Sequence, residues 1–591
     1  MKSYIQKDQV QVQSNDFKSF LYLFRFAKKF KYQLSASLLI LIIASSAGAI
    51  SAYCLGKMID QGLLLKNWKV FMNWALIMIA LDSTRIFLDY VGRRILSYYS
   101  LESVFEIRKA LFQHMQELPM IYYDQQPAGR IITRTTNDVE SIENFFSGTL
   151  SRLSMSIFSI VTVLVTAFAI NAHLSFLMLV SVIPALFFTY LFRNPVRIWY
   201  REFSKRNSAI NSKLSEFLKG IFIIRSFSLE KWSSKIFQNK VQSHLDAALK
   251  INKINSTARP LVLFCSILPL PVLVFFGGQA VVAGTMTLGV LITFIRLSEK
   301  FSRPLFSISH ELHVVQQAFI GAERIASFLK EKKEPTETTS LNFKKQKIKG
   351  NIEFKNLWLK YIEEGNEWIL KDLSFSVAAG EKIGLVGRTG CGKTTTISLI
   401  SRLYEYQKGS LLIDGLELKN YPREFLRKEI FTVSQDVMLF KGSIKENLSL
   451  GKKFSDADWS ALLEKTGLGA HMEEKKWTLS SLLVESGKNL SEGEKQLISL
   501  SRAYLQKPSL LILDEATAKV DAAIEQRCQQ ALEEVMKDKS ALFIAHRLQT
   551  LKNCDRLLLF KDGKILASGP HEELLQKSAY YKELHEKSDS D

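Results

Sequence analysis

Apolar and polar positions divide the chain into two unlike parts. Over the first 305 residues, long apolar stretches alternate with basic segments, whereas beyond residue 350 the apolar runs shorten to strand length between glycines and polar turns. Crossing about 30 Å of hydrocarbon takes roughly 20 helical residues at 1.5 Å each. Six stretches meet that length: 34–55, 70–91, 148–170, 174–193, 261–282 and 286–305, the second and sixth carrying charges. Brief connections at Asn171-Ala172-His173 and Gly284-Thr285 make hairpins, and long segments at about 92–147 and 194–260 hold Arg93, Arg94, Arg108, Lys109, Arg201, Lys205 and Arg206. Lys and Arg concentrate on the cytoplasmic side of membrane proteins, which predicts those segments and both termini inside. The 56–69 connection, with Lys57, Lys66 and Lys69, fits less well.

Ahead of the first span, Phe17, Phe20, Leu21 and Phe24 alternate with Lys18, Arg25, Lys28 and Lys29 at helical spacing. An amphipathic elbow helix on the inner leaflet and a packed cytosolic helix both fit. The polar N-terminus delays the first apolar stretch past residue 33, too late for an ordinary cleaved signal peptide, so the mature chain is expected to keep it. The expected divisions are 1–33 (N-terminal segment), 34–330 (transmembrane domain), 331–350 (charged linker) and 351–591 (soluble domain).

Length agrees: 591 residues exceed the roughly 250–300 at which one core stops growing. The net charge of +20 is unevenly placed, because the 78 Lys+Arg and 58 Asp+Glu divide into 35 and 36 over 351–591, leaving 43 and 22 before it. The excess lies between apolar runs, so a membrane rather than a nucleic-acid partner is expected. Five cysteines with no CxxC pair imply neither a disulfide scaffold nor a zinc site.

Chemistry enters at Lys382–Thr394, where a short apolar strand runs into Gly387-Arg388-Thr389-Gly390-Cys391-Gly392-Lys393-Thr394. This GxxxxGK[ST] loop curls so that its amides converge on phosphate oxygens at a helix N-terminus. Lys393 is placed for the β- and γ-phosphates and Thr394 for Mg²⁺. A second strand, Ser509–Leu513, ends in Asp514-Glu515, two carboxylates at the edge where open α/β sheets bind ligands. Asp514 would hold Mg²⁺ through water, and Glu515 would orient or deprotonate the attacking water.

With Leu490-Ser491-Glu492-Gly493-Glu494 ahead of that strand, the chain resembles an ABC transporter of the exporter type, one transmembrane domain fused to one nucleotide-binding domain. The resemblance covers nearly the whole chain and implies a six-helix membrane domain followed by an α/β P-loop ATPase with a helical subdomain. It implies ATP and Mg²⁺ as cofactors, with Thr395 completing the phosphate-loop contacts. Tyr361 resembles the aromatic that stacks on adenine, Gln435 the Q-loop glutamine at Mg²⁺, Asp521 the D-loop aspartate and His546 the γ-phosphate histidine. Ala518-Lys519-Val520 departs from the family's usual SAL. Segments 129–142, 215–227 and 321–329 are similar to exporter segments that include or flank coupling helices.

In this family two nucleotide domains close head to tail, so one copy of each motif implies a second half-transporter as partner. Ser491 and the Gly493 amide would meet the γ-phosphate held by that partner. LSGGQ has become LSEGE, which places two carboxylates toward a triphosphate and suggests a heterodimer with unequal sites; a homodimer with both glutamates in solvent is the alternative. The resemblance implies ATP-driven export or outward flipping of a hydrophobic or amphipathic drug, lipid or peptide across a bacterial plasma membrane, with the nucleotide domain in the cytoplasm. An ATP-gated channel or regulatory protein is the alternative of another class. Asp82, Arg85 and Asp89 share a face of the second span and Arg296 sits within the sixth, fitting either a polar transport path or an ion pair between spans.

Overall fold

The computed structural model describes residues 16–334, 347–361, 367–514, 522–544 and 554–588. Its contacts separate two units, Met1–Gln116 with Ala128–Glu331 and Glu117–Pro127 with Lys332–Asp591.

The first unit is helical. Its long elements are α1 (Lys31–Lys57), α2 (Trp68–Gln116), α3 (Leu150–Ile170), α4 (Ala172–Lys219), α5 (Glu230–Ile267) and α6 (Leu288–Leu329). Local chemistry sets their ends. Asn171 caps α4 by accepting from the Leu174 amide at 3.1 Å, and Thr287 caps α6 by accepting from Val290. The helix breaks after α5 at Leu268 and restarts as Pro269–Val282 with Pro269 in its first turn, where a missing N–H costs nothing.

Among the described residues, five helical stretches are long and apolar enough to cross a membrane: Tyr22–Leu63, Trp68–Gln116, Ala128–Ile170, Ala172–Lys219 and Glu230–Val282. They contain the first five expected spans. The sixth, 286–305, is helical from Leu288, but it carries Arg296, Glu299, Lys300 and Arg303 and is not among them.

Small residues bring helices together. A Cβ on Gly56 of α1 would collide with Thr293 Oγ1 and Gly289 O of α6. At the same junction Asp60 accepts from the Thr287 hydroxyl at 2.5 Å and the Gly289 amide at 2.7 Å. Elsewhere α3 and α6 are tied through Glu311, which is buried and takes Arg152 Nε at 2.5 Å, Arg152 Nη2 at 3.0 Å and the Thr149 hydroxyl at 2.7 Å. Asp82 pairs with Arg85 at 3.5 Å, Asp89 with Arg93 at 2.8 Å and Arg296 with Glu299 at 3.7 Å. Each of these pairs lies within one helix, not between spans.

The second unit contains the strands β1 (Ile352–Leu359), β2 (Leu370–Val377), β3 (Lys382–Val386), β4 (Lys408–Ile413), β5 (Leu416–Glu417), β6 (Ile430–Val433), β7 (Gly442–Ser443), β8 (Leu482–Leu483), β9 (Leu510–Asp514), β10 (Ser540–Ile544), β11 (Arg556–Lys561) and β12 (Lys564–Gly569). An antiparallel sheet runs β2-β1-β4-β5 and a mainly parallel one β12-β11-β3-β10-β9-β6. The central strands read as nearly unbroken apolar runs because both faces are covered, and Leu510, Leu511, Ile512, Ile383 and Leu385 are all buried. One core lies between the two sheets and the helix after β3. The second lies under a helical subdomain, with Leu490, Leu497, Leu513 and Phe543.

Candidate functional site

Register places the chemistry. Ile544 is aligned with both Leu385 of β3 and Asp514 of β9, and Val433 of β6 is aligned with Leu513. The chain therefore leaves four neighbouring strands at one level, at Val386, Ile544, Asp514 and Val433, along the edge where parallel sheets receive ligands.

From β3 the chain enters the phosphate loop. Gly387, Gly390 and Gly392 adopt positive φ of 158, 83 and 107°, conformations that a side chain opposes. A Cβ on Gly392 would lie 2.7 Å from Leu370 Cδ2, and one on Gly387 would strike the Phe560 carbonyl, so both glycines let the loop lie flat on the protein behind it. Among the described residues nothing lies within 4 Å of the Cβ side of Gly390. The loop ends in α7 (Lys393–Ile400). Lys393 is buried, and its Nζ donates to the carbonyls of Gly387 at 2.5 Å and Arg388 at 3.1 Å. Arg388 turns outward to Glu583 at 2.7 Å, and Gly563 N donates to the Cys391 carbonyl at 3.2 Å. Burial pushes the Cys391 thiol up, so it stays protonated and acts as packing.

Thr394 is exposed and Thr395 buried. The Thr395 hydroxyl lies 2.9 Å from that of Tyr361, whose ring meets Tyr404 edge-on at 4.8 Å. Tyr404 in turn donates to Asp124 at 2.6 Å. Burial first, then the Asp124 carboxylate, pushes the Tyr404 phenol well above its usual value, so it remains a donor. Tyr361, Thr395 and the phosphate loop are thus brought together. Gln435 is exposed just past β6, and Asp514 ends β9. Glu515, Asp521 and His546 lie outside the described residues. The exposed Thr394 hydroxyl and the Asp514 carboxylate on this edge suit Mg²⁺, which keeps several waters and takes one or two protein carboxylates beside phosphate oxygens.

Ser491 and Gly493 open α8 (Glu492–Gln506) on the second core. Ser491 Oγ accepts from the Glu494 amide at 3.2 Å, and Glu494 Oε2 accepts from the Ser491 amide at 2.7 Å, a capping box. Here the structure corrects the charge expected of LSEGE. Glu494 is 5% exposed and faces inward, with Oε1 3.1 Å from His471 Nε2 and 3.3 Å from Lys475 Nζ. Arg527 can only donate, so its 2.8 Å bond makes His471 Nδ1 an acceptor and leaves the ring proton on Nε2 for Glu494. Burial alone would raise the Glu494 carboxyl, but the Ser491 amide, His471 and Lys475 hold it below its usual value. Glu492 is exposed and pairs with Lys495 at 2.7 Å.

Residues 34–305 match the ABC transporter transmembrane region and residues 370–518 match the ABC transporter domain. An uncharacterized ABC transporter ATP-binding protein of Bacillus subtilis, YfiC, is 30% identical over 93% of this chain and 91% of its own. The chain belongs to the ABC transporter family. Another B. subtilis relative, the probable multidrug resistance ABC transporter protein YheH, is 32% identical over 85% of this chain and 74% of its own. A fatty acid ABC transporter ATP-binding/permease protein of Mycobacterium bovis is 29% identical over 83% and 77%. This ABC transporter chain is a half-transporter of the exporter type that binds ATP and couples its hydrolysis to transport.

Sequence reasoning missed three participants: Tyr404, Asp124 and His471. Asp124 lies in the helix Met120–Gln125, bracketed by Pro119 and Pro127, and the bracketing prolines were the available signal.

Proposed function

We propose that the chain is one half of a dimeric, ATP-driven exporter of hydrophobic or amphipathic molecules, with six spans in a bacterial plasma membrane and its nucleotide domain in the cytoplasm. The observation that carries this is the common level at which β3, β10, β9 and β6 end, which leaves the phosphate loop, Asp514 and Gln435 on one sheet edge. On that edge Lys393 holds the β- and γ-phosphates, and Tyr361 offers its ring to adenine. Thr394, Asp514 and Gln435 would hold Mg²⁺, whose charge offsets that developing on the phosphates. Glu515 takes the proton of the attacking water, and His546 contacts the γ-phosphate. Ser491 and the Gly493 amide serve the nucleotide of the partner half.

Cargo of this class is supported by relatives named for multidrug resistance and for fatty acids. A heterodimer with unequal sites is supported by Glu492 at the first turn of α8 and by Ala518-Lys519-Val520. The inward Glu494 favours a homodimer as the second reading, because only one of the two LSEGE carboxylates then meets the partner.

Purified chain in lipid nanodiscs, assayed for Mg²⁺-dependent ATPase with and without a co-expressed second half, separates the two. Robust hydrolysis by the chain alone, abolished in Glu515→Gln, supports the homodimer and refutes an obligate heterodimer. Hydrolysis-dependent uptake into inside-out vesicles is expected of a pump; uptake that only equilibrates would mean a channel.

A further inference from the structure

Three cations on two helices of the first unit, half-buried Arg85 and Lys300 and exposed Arg296, stand near one another with two carboxylates beside them. Lys300 of α6 donates from Nζ to the carbonyl of Gly48 in α1. At the same glycine, α2 delivers Arg85: a Cβ on Gly48 would lie 2.8 Å from Arg85 Cδ, 3.5 Å from Lys300 Nζ and 3.7 Å from Arg85 Nε. The missing side chain is what lets the two cations converge. Arg296, one helical turn before Lys300, joins Arg85 and Asp82 among the charged neighbours of Lys300.

The carboxylates present are loosely held. Asp82 lies 3.5 Å from Arg85 Nε and Glu299 lies 3.7 Å from Arg296, both beyond good charge-assisted hydrogen bonds, and Arg85 Nε is buried without a hydrogen-bond partner among the described residues. Lys300 is the thirteenth residue of α6 and Arg85 the eighteenth of α2, about 18 Å and 25 Å along their helices at 1.5 Å per residue. Both residues lie within the apolar stretches expected to cross the membrane, 286–305 and 70–91. Like charges converging there repel strongly, and they persist where an anion joins them.

We infer that Arg85, Arg296 and Lys300 form a seat for the anionic headgroup of an amphiphile, carboxylate or phosphate, whose tail lies along the neighbouring apolar helix faces. This narrows the cargo class of the export reading and rests on that reading for its purpose. Its geometry stands independently.

The test is equilibrium binding to the full-length protein in phosphatidylcholine nanodiscs without ATP, using radiolabelled oleate, lysophosphatidate and the uncharged oleyl alcohol. At least one anionic probe is expected to bind saturably and at least tenfold more tightly than oleyl alcohol. The stronger anion tells a carboxylate site from a phosphate site, and competition by inorganic phosphate tells whether the headgroup suffices. Lys300→Met and Arg85→Met are expected to weaken the anion at least tenfold, Lys300→Arg to restore it, and oleyl alcohol to bind alike throughout. Should the two Met variants fail to fold, Arg296→Gln carries the test with an expected severalfold loss, since Arg296 pairs only within its own helix in the described ion pairs. Equal binding of all three probes, no saturable anion binding, or unchanged anion binding by the folded variants would overturn the inference. Binding without ATP is expected to survive Lys393→Ala, so a failure of hydrolysis would sink the export reading alone.

Discussion

Replacing Glu494 by glutamine removes one negative charge and puts an amide where two acceptor oxygens now serve three donors. Oε2 takes the Ser491 amide at 2.7 Å, while Oε1 faces His471 Nε2 at 3.1 Å and Lys475 Nζ at 3.3 Å. The new NH₂ must face either Ser491 or the His471–Lys475 side, so at least one buried donor meets a donor. Such a mismatch costs about 1–3 kcal/mol. Lys475 is half exposed, so its share of the lost ion pair is discounted. A total near 2 kcal/mol follows, and at roughly 2–4 °C per kcal/mol for a unit of this size the nucleotide domain should melt about 4–8 °C lower. Differential scanning fluorimetry of the full chain in nanodiscs measures this, with Trp477 edge-on to His471 at 5.5 Å as a local reporter. The pH dependence has a definite sign. A carboxyl held below its usual value contributes stability at neutral pH and loses it as pH falls through the carboxylate range, so the gap between wild type and Glu494→Gln should close on acidification. If Glu494 faced a triphosphate instead, the substitution would leave melting unchanged and tighten ATP binding, and that pair of results would refute the assignment.

Breaking the Tyr404–Asp124 bond with Tyr404→Phe or Asp124→Asn should leave the fold intact and lower ATP affinity severalfold by loosening Tyr361, read by nucleotide titration. Gly289→Ala forces a Cβ against Asp60 and the Gly56 backbone, and overpacking of this kind costs about 1–3 kcal/mol, visible as lower melting of the membrane unit. Gly392→Ala meets both a positive φ and Leu370, so it should abolish nucleotide binding while the remote capping box at Ser491 keeps its hydrogen-exchange protection.

Much of the nucleotide edge was legible because its signals are local. GxxxxGKT fixes a strand, three left-handed or extended glycines and a helix start within a few residues, and Asp514 follows an apolar run too regular to be a loop. The inward turn of Glu494 was legible too: Ser491-Glu492-Gly493-Glu494 is an S-x-x-E capping pattern, which by itself aims the last carboxylate back at the helix start. Its partners were not, since His471 and Lys475 reach it from a distant stretch of sequence. The expected sixth span is the converse case. Four charges within 288–305 dilute its hydropathy, and only the convergence of α1, α2 and α6 at Gly48 gives Lys300 its partner.

That convergence and the capping box bear on the same question, how an ABC transporter half keeps charges where its chemistry needs them. At Ser491 the hydroxyl oxygen is used by the Glu494 amide, while a hydroxyl can also donate, and among the described residues its proton has no acceptor. The Lys495 amide returns to the Ser491 carbonyl, so the amides of Glu492 and Gly493 are the first-turn donors with no partner inside the helix. A helix start with two open amides and a hydroxyl attracts an oxyanion whatever sits behind it, because the macrodipole adds to the same field. Glu494 therefore strengthens the cap while its charge, offset by Lys475, faces inward from the helix start proposed to meet the partner's nucleotide. What asymmetry remains depends on Glu492, which Lys495 partly offsets at 2.7 Å. Removing Lys495 by Lys495→Met should then weaken ATP-driven dimer closure more than Glu494→Gln does, and equal effects of the two would contradict this division of roles.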